Sequence, residues 1–264
     1  ALILQSFADL HLHAPQYPMM GTGMDLPLLD WLNTYTFPLE SRFADTDYAR
    51  EVYRTLAHEL IAGGTTRVAM FSSLHTDATL ILMEELEKDR MYFQRSGGGI
   101  TLSGGECLAQ PDFVVALSKK LYDRGISVYI DTCGYVKSET LKKMIPYTDK
   151  FLYDIKAIDA TVHKKCTGKD NRLILDNLKL LCDGGCTIEI RYPLVNGYND
   201  LECENIAKFL SSLRGITKVK VLQYHSFSAS RYEALGMFNT LPDTKTTSYD
   251  IEAAVNIFKS YGLH

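Results

Sequence analysis

Seven short apolar segments alternate with amphipathic segments along this chain, and the alternation determines its fold class. The apolar segments have the length and the β-branched or aromatic content of buried strands. The amphipathic ones repeat apolar residues every three or four positions, as helices do. The predicted strands are 6–11, 66–72, 99–103, 126–132, 151–155, 186–191 and 219–224. The predicted helices are 48–61, 78–90, 112–123, 138–144, 173–182, 202–213 and 249–261. Because strand–helix–strand units join parallel strands by right-handed crossovers, the sequence predicts an α/β fold.

The number of strands narrows the architecture. Seven strands are many for a small open sheet and nearly enough to close a barrel. We therefore expect residues 1–264 to form a single domain, a TIM-like (β/α) barrel that is complete or nearly closed. A doubly wound open sheet is the alternative.

Composition excludes several classes of partner. The chain has 28 Lys and Arg against 32 Asp and Glu, a formal net charge of −4, so it offers no basic surface for nucleic acid or an anionic membrane. No apolar run approaches the roughly 18–20 residues of a membrane span, and no signal-peptide pattern opens the sequence. The six cysteines are scattered, which fits a reducing compartment. We expect a cytoplasmic protein with neither nucleic-acid nor membrane partners.

Polar residues follow the predicted strands, at the edge where α/β folds build their sites. In strand order they are His11 and His13; His75; Gly104, Gly105 and Glu106; Asp131 and Thr132; Asp154 and Lys156; Arg191 and Asn199; and His225. Every strand thus ends in chemically useful groups, which favours a catalytic scaffold over a purely structural one.

The first chemical signal is His11-Leu12-His13 at the end of the first strand. Alternation along a strand places His11 and His13 on one face, where both imidazoles can reach one zinc or iron ion. Two surface or capping histidines would give the same pattern.

Residues 1–87 resemble the amidohydrolase superfamily, in particular the guanine deaminases. The resemblance rests on HAPQYP, GTGMDLPLLDWL and NTYTFP and continues through GGTTRVAMFSSLHTDATLILMEELE. It implies that His11 and His13 bind a metal, that Gln16 contacts a purine base, and that metal-bound water deaminates it. The later histidines, the Glu and the Asp that this family adds on further strands have no matching motif, so the zinc site is expected to be incomplete.

The second chemical signal is Gly104-Gly105-Glu106 directly after the third strand. Two glycines allow a ligand to approach the backbone closely, and a carboxylate there can hold an amine. A tight turn before a helix has the same sequence.

Residues 88–264 resemble the glycyl-radical-enzyme activating enzymes of the pyruvate formate-lyase activating type, within the radical SAM superfamily. The matching segments occur in family order: SGGGITLSGGECLAQPDF, GISVYIDTCGY, TDKFLYDIKAID, IEIRYPLVNGYND and VKVLQYHSFSASRYEALG. The resemblance implies a glycyl-radical enzyme as partner and S-adenosylmethionine as cofactor. It assigns the methionyl amine to Gly104, Gly105 and Glu106, a cation to Asp131, Thr132 and Asp154, and further cofactor contacts to Lys156 and His225.

One family feature is missing from the sequence. The family binds a [4Fe–4S] cluster through Cys-x3-Cys-x2-Cys, and thiolates are the ligands that such a cluster needs. The chain's cysteines do not have this spacing, since Cys182 and Cys186 are followed at the third position by Glu189. We therefore expect no cluster on this chain and assign no catalytic residue.

Both resemblances meet inside the predicted helix 78–90, which suggests a barrel assembled from two fragments. The main hypothesis is a chimera without either parent's full activity that retains weak binding of S-adenosylmethionine. The alternatives are a radical SAM activating enzyme and a metal-dependent amidohydrolase. A closed barrel would also bring His225 towards His11 and His13 as a three-histidine metal site. The weakest packing is expected at 83–95.

Overall fold

The structure, a computed structural model, describes residues 7–88, 99–225, 238 and 242–264. The chain divides into two compact units, Ala1–Gly97 and Gly98–His264. The boundary falls between Gly97 and Gly98, ten residues beyond the predicted junction at 87. Part of the predicted weak segment 83–95 lies outside the described residues, and the prediction about its packing stays a prediction.

The first unit contains a parallel pair of strands, β1 (Phe7–His13) and β2 (Thr65–Phe71). Its helices are α1 (Leu28–Trp31), α2 (Phe37–Ser41), α3 (Thr46–Ala62) and α4 (Thr76–Glu87). A 3-10 helix (Ala14–Met19), a π-helical turn (Leu32–Thr36) and a second 3-10 helix (Arg42–Ala44) link them. The segment 14–44 carries no helix in the sequence prediction, because its prolines and glycines interrupt every apolar repeat.

The core of the first unit is centred on α3 and α4, and Leu12 of β1 and Met70 of β2 pack against it from the sheet. Tyr53 and Phe43 are fully buried, with Leu56 and Ile81 against them. By contrast, most of β1 and β2 is exposed, including Phe7 at 61%.

The second unit is a five-stranded parallel sheet with the order β3-β4-β5-β6-β7. The strands are β3 (Ile100–Leu102), β4 (Val128–Thr132), β5 (Lys150–Asp154), β6 (Ile188–Leu194) and β7 (Ile216–Gln223). The helices are α5 (Pro111–Asp123), α6 (Ser138–Met144), α7 (Ala160–Thr167), α8 (Arg172–Asp183), α9 (Cys203–Ser211) and α10 (Ser248–Ser260). Short 3-10 helices occupy Cys107–Ala109, Ile145–Tyr147 and Asp200–Glu202.

This topology confirms the α/β class with parallel sheets. The strand order of the second unit follows the chain without reversal, as in a segment of a barrel, whereas a doubly wound sheet reverses its order. A single complete barrel is not confirmed, because the described strands form one two-stranded and one five-stranded sheet.

The two faces of the five-stranded sheet differ in burial. Along β4, Val128 and Ile130 are buried, and the alternate residues Tyr129 and Asp131 are half-buried. The same alternation runs through β6. One face therefore forms the core, and the other carries polar side chains towards the carboxyl ends of the strands. Within the described residues, no helix is both long enough and apolar enough to span a bilayer.

Candidate functional site

The loop after β3 leaves space for a ligand beside its backbone. Gly104 has φ +146°, a conformation that other residues adopt only under strain. A Cβ atom added to Gly104 or to Gly105 would meet no atom within 4 Å. Neither glycine is therefore required by packing, and both keep the exposed loop open for close approach.

Glu106, the next residue, is held by donors from two strand ends. Its Oε1 accepts the backbone N–H of Leu108 at 3.1 Å, and its Oε2 accepts that of Cys133 at 2.9 Å. The hydroxyl of Thr132 lies 2.8 and 2.9 Å from the two oxygens. The carboxylate thus joins the loop after β3 to the end of β4.

A side chain of α8 holds the turn after β4 in place through hydrogen bonds. Asn177, which is fully buried, donates its side-chain N–H groups to the carbonyls of Gly134 and Val136 at 2.9 and 2.8 Å. Tyr153 packs against Gly134 and donates its hydroxyl to the carbonyl of Ile174 at 2.7 Å. Burial raises the pKa of Tyr153 well above its ordinary value, so the hydroxyl remains a donor. None of Gly134, Tyr153 and Asn177 was predicted from the sequence, although a glycine two residues after a strand was a visible signal for the first.

Two ion pairs lie on the polar face beside Glu106. Asp131 accepts from Arg191 Nη1 at 2.8 Å and from the Ser103 hydroxyl at 2.9 Å. Asp154 pairs with Lys156 at 3.0 Å. Arg191 lies within β6 rather than after it, and its buried Nε has no hydrogen-bond partner among the described residues. The side chains of both pairs are about one-quarter to one-third exposed, so a ligand can reach them.

The cation role predicted for Asp131, Thr132 and Asp154 stays a prediction. Each acid is paired with a base, and the Thr132 hydroxyl donates to Glu106. No group of three or more His, Cys, Asp or Glu is arranged to hold a metal among the residues described. His225 lies two residues beyond β7 and is exposed, and its predicted cofactor contact is likewise untested.

In the first unit, His11 and His13 lie within β1, which runs two residues further than predicted. Their ring centroids are 5.1 Å apart, and His13 stacks on Phe71. A cavity of about 410 Å³ opens beside them; its lining is His11, Leu12, His13, Gln16, Tyr17, Met20 and Trp31. The structure therefore brings His11, His13 and Gln16 together. The combination with His225, which belongs to the other unit, stays a prediction.

Comparison with known proteins identifies the family. The family model described as the Radical SAM superfamily matches residues 64–210. The chain belongs to the radical SAM superfamily. The match begins 24 residues before position 88 and so includes part of the segment that resembles guanine deaminases.

Several curated relatives of this radical SAM chain are activating enzymes. It is 45% identical over 159 residues to the trans-4-hydroxy-L-proline dehydratase activating enzyme of Clostridioides difficile, covering 58% of this chain and 52% of that protein. It is 37% identical over 165 residues to the pyruvate formate-lyase-activating enzyme of Clostridium pasteurianum, covering 61% and 68%. The chain spans about half the length of the first of these relatives.

Solved structures agree with the sequence relatives. A domain of a pyruvate-formate lyase-activating enzyme from Bacteroides vulgatus is 28% identical with a TM-score of 0.53, over 63% of this chain and 96% of that one. A guanine deaminase from C. acetobutylicum is 19% identical with a TM-score of 0.35, over 97% and 73%. The latter values are too low to support the deaminase resemblance.

The superfamily implies S-adenosylmethionine and usually a [4Fe–4S] cluster. The described residues suit the first of these, since an open glycine loop, paired acids and two bases converge at the strand ends. They do not suit the second, because the six cysteines are dispersed and no three of them lie together. Burial, Glu106 and Asp131 raise the pKa of Cys107 to about 12, so this thiol is a poor source of a thiolate.

Proposed function

We propose that this chain is the S-adenosylmethionine-binding part of a glycyl-radical-enzyme activating enzyme. The observation that carries the proposal is the network of Glu106, Thr132 and Cys133 at the ends of β3 and β4, next to a glycine loop with open space. Its place within the family match, and the activating enzymes among its relatives, support it.

The chain's own groups have distinct tasks in this proposal. The loop of Gly104, Gly105 and Glu106 receives the amine of the ligand. Lys156 and Arg191 are the cations that face its carboxylate, and each is already oriented by an aspartate. Arg191 is suited to this because a guanidinium can bind two anions at once, and its Nε is still unpartnered within the described part of the chain.

The proposal covers binding and not reductive cleavage. S-Adenosylmethionine is cleaved when a reduced cluster supplies an electron, and the cysteines of this chain do not form a set of cluster ligands. Activation of a glycyl-radical enzyme would therefore need cluster ligands from outside these 264 residues.

Calorimetry with S-adenosylhomocysteine tests the binding step, because this ligand keeps the amine and the carboxylate but cannot be cleaved. We expect one site per chain, weakened by Lys156→Gln and unaffected by the matched surface variant Lys142→Gln. Lys142 pairs with Glu139 on α6, away from the strand ends. Absence of binding to the folded wild type would refute the proposal.

The partner and the compartment follow from the same proposal. We assign the chain to the cytoplasm, with a glycyl-radical enzyme as partner and no nucleic acid. Anaerobic incubation with iron and sulfide, followed by a candidate glycyl-radical enzyme and reductant, gives a glycyl EPR signal only if a cluster can be supplied.

The cavity of the first unit favours a second candidate, a metal site at His11 and His13 near Gln16. This second candidate keeps the hypothesis that an amidohydrolase-like fragment, residues 1–87, is joined to residues 88–264 in one nearly closed barrel. Zinc titration should then show a site that is lost in His11→Ala but kept in His58→Ala. Solution scattering should give a radius of gyration of about 18 Å, the value for one compact body of this length. Unchanged zinc binding in His11→Ala would exclude the site.

A further inference from the structure

The hydrogen bonds of Glu106 limit how much of its carboxylate is available to a ligand. An ionised carboxylate has about four acceptor sites. Among the described residues, at least three donors already face it: the N–H of Leu108, the N–H of Cys133 and the hydroxyl of Thr132. At most one site remains for an incoming amine, whereas the loop before Glu106 is open.

The Thr132 hydroxyl makes a second hydrogen bond, in which its oxygen is the acceptor. Its oxygen accepts the N–H of Gly134 at 3.0 Å while its proton points to Glu106. Gly134 is in turn fixed by Asn177 on α8. A continuous series of hydrogen bonds therefore runs from the buried Asn177 side chain, through the turn after β4, to the loop after β3.

We propose that Glu106 is a positioning residue whose partner is Thr132, and that the pair holds the glycine loop against the end of β4. In this role the carboxylate sets the loop's shape and the loop's backbone faces the ligand. The positioning itself is a property of the ligand-free chain, whereas its use in binding rests on the proposed function.

Hydrogen exchange measured by mass spectrometry tests the positioning without any ligand. Thr132→Val keeps the shape of the side chain but removes the hydroxyl. We expect exchange of the Leu108 and Cys133 amides to become about tenfold faster, the effect of losing a hydrogen bond to a charged group. Thr132→Ser should restore slow exchange. Thr148→Val removes a hydroxyl whose hydrogen bond within the described residues is to the Met144 carbonyl, and it should leave these amides unchanged. Unchanged exchange in Thr132→Val would overturn the proposal.

A double-mutant cycle tests the role in binding. If Glu106 acts through its pairing with Thr132, then Thr132→Val and Glu106→Gln should weaken S-adenosylhomocysteine binding by similar factors. The double variant should then be no weaker than either single variant. Independent ligand contacts would instead give factors that multiply, which would overturn the role in binding. If the wild type does not bind but the exchange differences persist, the proposed function fails and the positioning role stands.

Discussion

Replacing Gly134 by alanine tests how firmly the turn after β4 is held. Gly134 has φ +71°, and a Cβ atom there would lie 1.7 Å from the Tyr153 hydroxyl oxygen and 2.2 Å from Cζ. Tyr153 cannot retreat easily, because it is fully buried and donates to the Ile174 carbonyl.

Three contributions to the free energy of unfolding add up at this position. The left-handed backbone costs about 1–2 kcal/mol for a residue with a Cβ atom. Overpacking costs about 1–3 kcal/mol, and breaking the hydrogen bond of the buried Tyr153 hydroxyl costs about 1–3 kcal/mol more. Gly168 is the matched control, since its φ is +75° and a Cβ there meets nothing within 4 Å. The two variants share the backbone contribution, so Gly134→Ala should be less stable than Gly168→Ala by at least about 2 kcal/mol.

Urea unfolding followed by far-UV circular dichroism measures this difference. The chain's single tryptophan, Trp31, lies in the other unit, so its fluorescence does not report on Gly134. Tyr153→Phe in the Gly134→Ala background should recover only part of the loss, because the clash with Cζ remains. A difference below about 0.5 kcal/mol, the usual size of a neutral surface change, would refute the reasoning.

Three further predictions concern other groups of the second unit. The N–H groups of Val162 and Thr161 lower the pKa of Asp159, so its capping of α7 stabilises the protein above the ordinary pKa and is lost on acidification through the lowered value. The stability gap between wild type and Asp159→Ala, measured by urea unfolding from pH 7 downwards, should therefore shrink as the pH falls below the ordinary pKa of an aspartate and close once it passes the lowered pKa. Iodoacetamide at pH 8 should leave Cys107 unmodified in the native chain and alkylate it in urea, as read by mass spectrometry, because its pKa is raised to about 12. Glu202→Ala should cost about 3 kcal/mol in urea unfolding, because the buried carboxylate accepts the N–H groups of Ile158 and Asp159.

The sequence predicted those elements whose stability comes from a regular apolar repeat. The third predicted strand, 99–103, contains β3, and the fourth, 126–132, contains β4. Helix α7 was missed because ATVHKKCT has no apolar stripe. It forms through local side-chain contacts instead: Asp159 caps it, and His163 is buried with its Nδ1 2.9 Å from the Lys169 carbonyl.

The sequence also identified most of the polar groups at the strand ends but could not give their pairing. Asp154 and Arg191 are opposite each other in the β5–β6 register, which suggests an ion pair. In the structure Arg191 instead forms an ion pair with Asp131 on β4, and Lys156 forms one with Asp154. Side-chain length explains this outcome. The arginine side chain on β6 is long enough to reach past β5 to β4, and the lysine two residues after Asp154 can fold back onto it. Register alone does not contain that information.

Radical SAM chemistry has two requirements, a bound S-adenosylmethionine and a cluster that supplies an electron. The hydrogen bonds around Glu106 concern the first of them. Every contact described around Glu106 joins β3, β4 and α8, all in the second unit and all within the family match. The shape of the glycine loop therefore depends on residues that are present, whatever supplies an electron. Cluster ligation needs thiolates, whereas the proposed ligand positioning uses this hydrogen-bond network, so the second does not require the first. Binding of S-adenosylhomocysteine should consequently be the same before and after treatment with an iron chelator, and a chelator-dependent affinity would show that the two requirements are linked.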